Sequence, residues 1–90
     1  MAYADVQIEV PEFGLAKTAP ADEFYRLGLV YSNGEGVAVD ILAAHKWFNL
    51  AAARGHGSAK LCREEMADML TPAEVVKAQR LARQWMLKAN

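Results

Sequence analysis

Leu27-Gly28-x-x-Tyr31-x-x-Gly34-x-Gly36-Val37-x-x-Asp40, followed by Ala44-x-x-Trp47-Phe48-x-x-Ala51-Ala52-x-x-Gly55-x-x-x-Ala59, decides the fold of this 90-residue chain. Apolar residues recur there every three or four positions, the period of a helix face that packs against something. Two such faces flank a loop carrying Gly34 and Gly36. Gly55 then separates the second face from a third. Helix, tight loop, helix, tight turn is the grammar of stacked helical hairpins.

Working outward, the spacing predicts four helices. The first starts near Pro20, where a missing N–H costs nothing, and Asp22 and Glu23 suit the positive end of its dipole. Phe24, Leu27, Gly28 and Tyr31 form its buried stripe. Gly28 in mid-helix costs ~1 kcal/mol against alanine, so it should mark a close approach of the next helix. Asn33-Gly34 ends the helix in the left-handed conformation those residues tolerate. Asp40 caps the second helix with its carboxylate. Ile41, Ala44, Phe48, Ala51 and Ala52 share a face of that helix, with Trp47 beside it. Gly55 closes it, and Gly57 or Ser58 opens a third helix lined by Ala59, Cys62, Met66 and Leu70. Thr71-Pro72-Ala73-Glu74 reads as a capping box with proline at the first helical position. The fourth helix presents Val75, Ala78, Ala82, Trp85 and Met86 on one side. Phe48, Trp47 and Trp85 are expected to be substantially buried.

Residues 1–19 follow another rule. Val6, Ile8 and Val10 alternate with Asp5, Gln7 and Glu9, a period of two that suits extended chain, and Pro11 and Gly14 then interrupt. The segment reads as an N-terminal arm, extended or disordered. The alternation predicts that residues 5–13 cover apolar surface, within the chain or across a dimer, with Phe13 as an added anchor.

The motif and its spacing resemble the Sel-one-like repeat family, relatives of the tetratricopeptide repeats. Residues 23–58 form the good repeat. Residues 59–90 form a degenerate, capping one, which lacks the Gly34-x-Gly36-Val37 loop and carries Cys62-Arg63 where the first has Leu27-Gly28. The resemblance does not extend to residues 1–19. The fold class expected is all-α: two antiparallel helical hairpins stacked as a short α-α superhelix over residues 20–90, preceded by the arm. The resemblance implies a scaffold role in assembling complexes rather than catalysis. Relatives linked to β-lactam binding carry paired cysteines, which are missing here.

Composition bounds the function from another side. Apolar residues make up 53% of the chain, ample for a core, and a net charge of -1 gives no general attraction to nucleic acid. Cys62 is the only cysteine, so no internal disulfide forms, which fits a reducing compartment or simply a buried small side chain. No apolar run approaches the ~20 residues of a membrane span, and the first ten residues lack a signal peptide's basic flank and apolar centre. The expectation is a cytoplasmic protein without a membrane role.

No pattern for chemistry emerges. His45 and His56 lie eleven apart with no ligand cluster at metal spacing, and each reads as a surface histidine. Ser58 has no acid–base neighbours. Gly34-Glu35-Gly36 follows a helix rather than a strand, so it reads as a turn, not a phosphate loop. Glu64 and Glu65 point in different directions and read as a solvated face. Neither a metal nor a cofactor is called for. Lys77, Arg80, Arg83 and Lys88 make the last helix basic, but with few aromatic companions this argues weakly for nucleic acid.

A binding face remains. Arg26, Leu29 and Asn33 lie opposite the core stripe of the first helix with Tyr25 at its edge. Leu61 and Glu65 lie opposite the stripe of the third. Leucines at positions that should be wet suit a surface that receives a protein or peptide. The reading is therefore a non-enzymatic adaptor. The alternative is a self-assembling structural subunit, a homo-oligomer whose open repeat ends are covered by a second copy.

Overall fold

The computed structural model describes residues 10–89, and among them the only regular structure is helical. The helices are α1 (Ala21–Asn33), α2 (Ile41–Ala53), α3 (Gly57–Asp68) and α4 (Pro72–Lys88). α1 and α2 form an antiparallel hairpin, and α2 is the centre, packing against α1, α3 and α4.

Local chemistry sets each boundary. Pro20 flanks α1 rather than entering it, and Asp22 and Glu23 occupy the first turn. Gly34 ends α1 at φ 71°, its N–H donating to the Val30 carbonyl. The Asp40 carboxylate accepts from the Ala43 N–H at 3.0 Å and starts α2. At α4 the capping box is complete: Thr71 Oγ1 accepts from the Glu74 N–H, while Glu74 accepts from the Thr71 N–H. Gly34 and Gly36 both take positive φ, which lets the α1–α2 loop reverse within a few residues.

The core is built around α2. Phe24, Leu27, Ala44, Trp47, Ala51 and Ala59 are fully enclosed and Phe48 nearly so. Gly28 admits Phe48: a Cβ on Gly28 would sit 2.3 Å from Phe48 Cε1. Trp47 stacks on Phe24 with ring centres 6.1 Å apart, and Trp85 meets both rings edge-on at 5.1 and 5.5 Å. This aromatic triad fastens α4 to the first hairpin. Trp85 itself is half-buried rather than enclosed, since α4 lies at the rim of the core.

Residues 10–19 run as consecutive turns against the hairpin. Phe13, Leu15 and Ala19 N–H groups each donate to the carbonyl three residues back. Tyr31 donates its hydroxyl to Glu12 Oε1 at 2.7 Å. Arg54 donates to the Ala19 carbonyl at 3.0 Å and to that of Lys17, while its guanidinium lies 4.8 Å above the Phe24 ring. The expectation that Phe13 anchors the arm within the chain is corrected: Phe13 is 72% exposed. Gly14 turns the chain at φ 78°, so Leu15 reaches the core instead. The predicted alternation at Val6 and Ile8 lies outside the described residues.

Candidate partner-binding surfaces

The expected binding residues divide by environment. Arg26 is exposed and pairs with Glu23 at 3.4 Å. Asn33 is exposed and donates to Glu35 Oε2 at 3.2 Å. Leu61, 65% exposed, and Glu65 lie on the open side of α3. Leu29 is not wet as expected; it is half-buried and packs on the core. It follows Tyr25 by one turn, and the Tyr25 side of α1 is covered. The Tyr25 ring leans on Phe48 at 5.8 Å and stacks on His56 at 4.2 Å. Burial, and then the Cys62 thiol beside it, push the Tyr25 phenol above its ordinary pKa. Tyr25 thus joins α1 to the first turn of α3. Among the described residues no hydrogen bond or ion pair links Arg26 or Asn33 to Leu61 or Glu65.

Both histidines are structural. His56 caps α3: its Nδ1 accepts from the Ala59 N–H at 3.1 Å while Nε2 lies 3.2 Å from Asp22 Oδ1. A surface reading of His45 is corrected outright, since it is 2% exposed. Periodicity could not reveal this. Apolar residues surround α2 on nearly every side, so a residue off the main stripe is still enclosed. Burial, then the nearby Arg63 cation, lowers the His45 pKa. Its Nδ1 has no hydrogen-bond partner among the described residues.

A second surface was not foreseen. The C-terminal halves of α2 and α4 leave a groove of about 390 Å³ between them, lined by Asn49, Leu50, Ala53, Ala82, Arg83, Met86 and Leu87. Its walls are almost all carbon. The short side chains of Ala53 and Ala82 leave the space, and Met86 and Leu87 form a wall. Leu87 is 85% exposed, the most open large apolar residue among the described residues. Asn49 is held by Arg63 of α3, whose Nη1 donates to Asn49 Oδ1 at 2.9 Å. On the α4 side stand Arg83 and, one turn earlier, Arg80. Both are exposed, and among the described residues neither meets a carboxylate. The only hint in sequence was Leu87, an apolar residue off the predicted face of α4.

Among the described residues no three His, Cys, Asp or Glu side chains gather to hold a metal. No helix there is long and apolar enough to cross a membrane.

Three helices packed on a shared central one, with a glycine-bearing loop joining the first two, define a helical-repeat protein. The chain belongs to the Sel1 repeat family: the Sel1 repeat pattern matches residues 25–56 and again 66–90. Such repeats are generally helical modules of protein–protein interaction. The second match takes in α4 and the end of α3 and leaves out the start of α3. No curated protein and no solved structure matches the chain.

Proposed function

We propose that this protein is a small non-enzymatic adaptor that captures a segment of a partner protein. The observation that carries this reading is the α2–α4 groove, an apolar trough with arginines along one wall that meet no carboxylate among the described residues. Apolar side chains of a bound segment would displace water from Leu50, Ala53, Met86 and Leu87, at ~25 cal/mol per Å² of apolar surface buried. Acidic neighbours would meet Arg83 and Arg80, which adds orientation and speeds encounter. The exposed face of α1 and α3, with Arg26, Asn33, Leu61 and Glu65, is the second candidate surface. Tyr25 and Leu29 support that face from beneath. The unpaired Cys62 fits a cytoplasmic setting.

The test is co-purification with the intact chain and with two charge insertions at exposed positions. Leu87→Asp should lose a partner that the parent retains, with unchanged melting. Leu61→Asp should keep it. Loss with Leu61→Asp alone would move the site to the α1–α3 face. A second reading is favoured by Leu61, Met69 and Val76, all more than half exposed on α3, α4 and the turn between them. There a second copy of the chain covers them, and light scattering would show a mass that falls on dilution.

A further inference from the structure

The groove is apolar along its floor and cationic along one wall. The sequence of this chain contains a segment of the opposite character. Between residues 3 and 9, Tyr3, Val6 and Ile8 are interspersed with Asp5 and Glu9, and no basic residue occurs. In extended chain Val6 and Ile8 project to one side and Asp5, Gln7 and Glu9 to the other. Such a segment can set its apolar side on Leu50, Ala53 and Met86 while its carboxylates face Arg83 and Arg80.

The fold leaves the groove within reach of this segment. Glu12 is pinned by the Tyr31 hydroxyl, and the Tyr31 carbonyl accepts from the Asp40 N–H, so this part of the chain lies at the N-terminal end of α2. From Asp40 to Ala53 the helix rises about 20 Å, whereas nine extended residues reach about 30 Å. Downstream, Arg54 ties the carbonyls of Lys17 and Ala19 to the groove's edge, with Nη2 3.9 Å from Met86 Sδ. The segment therefore starts at the far end of α2 from the groove and is long enough to reach it.

We propose that residues 3–9 are the resident occupant of the α2–α4 groove, bound in cis, and that a partner must displace them to engage it. This rests on the reading of the groove as a docking site. A short tether gives the segment an effective concentration on the order of millimolar, so even a weak fit shields the groove from ligands at micromolar levels. The device makes the adaptor selective, because a partner must carry a better apolar and acidic match than the chain's own.

The probe is a fluorescently labelled synthetic peptide with the sequence of residues 1–10, read by anisotropy against the full-length chain. Val6→Asp combined with Ile8→Asp should release the groove. That variant should bind the peptide about tenfold or more tightly than the parent does, because the competent fraction sets the apparent affinity. Asp5→Lys combined with Glu9→Lys removes the charge match but keeps the apolar side, and should also raise peptide affinity. Adding Leu87→Asp or Arg83→Glu to either variant should abolish binding. Both residues are exposed, and melting curves confirm that the fold survives. Equal affinity for parent and released chain would overturn the occupancy while leaving the groove as a docking site. Absence of binding to any variant would overturn both. A parent of twice the monomer mass that becomes monomeric with Val6→Asp and Ile8→Asp would place the segment in trans and overturn the cis assignment.

Discussion

Gly28→Ala should destabilise this protein, against the ordinary rule for helices. In an exposed helix interior the substitution gains about 1 kcal/mol. Here the new Cβ would lie 2.3, 2.4 and 2.8 Å from Cε1, Cδ1 and Cγ of Phe48. Those atoms belong to a rigid ring that is 1% exposed and wedged against α1, so it cannot swing away like the end of a flexible chain. Overpacking a filled core costs about 1–3 kcal/mol, and a clash with three atoms of one ring belongs at the upper end. Subtracting the propensity gain leaves a net loss of about 2 kcal/mol. For a domain of this size each kcal/mol lowers Tm by roughly 4–8 °C, so Tm should fall by about 10 °C. Thermal unfolding followed by circular dichroism at the helical band reads this directly. A double-mutant cycle with Phe48→Leu isolates the cause. With the smaller side chain opposite, the penalty of Gly28→Ala should shrink by about 1 kcal/mol or more. A Gly28→Ala protein that melts at or above the parent would refute the close approach of α1 to α2.

Other expectations follow from the same packing. Phe48→Ala empties the site beneath Gly28 and should cost about 3–5 kcal/mol, enough to threaten so small a fold in urea unfolding. Gly34→Ala and Gly36→Ala should each cost about 1 kcal/mol or more because both residues take positive φ. Gly34 should cost the more, since its Cβ would also press Val39 Cγ2 at 2.9 Å. His45 is held neutral in the fold, its pKa lowered by burial and by Arg63. Below an unfolded pKa of about 6.5 the unfolded chain binds a proton that the folded chain resists, so stability present at neutral pH is lost on acidification. Melting temperature should fall from pH 7 to pH 5, and His45→Gln should flatten that slope.

What was legible in sequence was local. Asp40, Thr71 with Glu74, and Gly34 each act within three or four residues of themselves, so their roles follow from spacing alone. Gly28 announced a neighbour without naming it, and the partner proved to be Phe48. The illegible features all depend on what other elements cover. His45 looked solvent-facing on a helical wheel, but α2 has neighbours on three sides. His56 caps α3 because Asp22 and Tyr25, some thirty residues earlier, hold its ring. Phe13 and Leu15 exchanged roles across the turn at Gly14, which reverses which side chain points inward. The groove belongs to no single helix. It exists because α4 crosses α2 where both present alanine, and no periodicity within one helix records that crossing.

The claim that the α2–α4 groove is the docking surface is tested most directly by mapping amide chemical shifts. The full-length chain carrying Val6→Asp and Ile8→Asp would be labelled with nitrogen-15 and titrated with the peptide of residues 1–10. The account predicts shift changes concentrated at Asn49, Leu50, Ala53, Ala82, Arg83, Met86 and Leu87, with α1 and the outer side of α3 unmoved. Changes centred on Arg26, Asn33, Leu61 and Glu65, or none at saturating peptide, would contradict it.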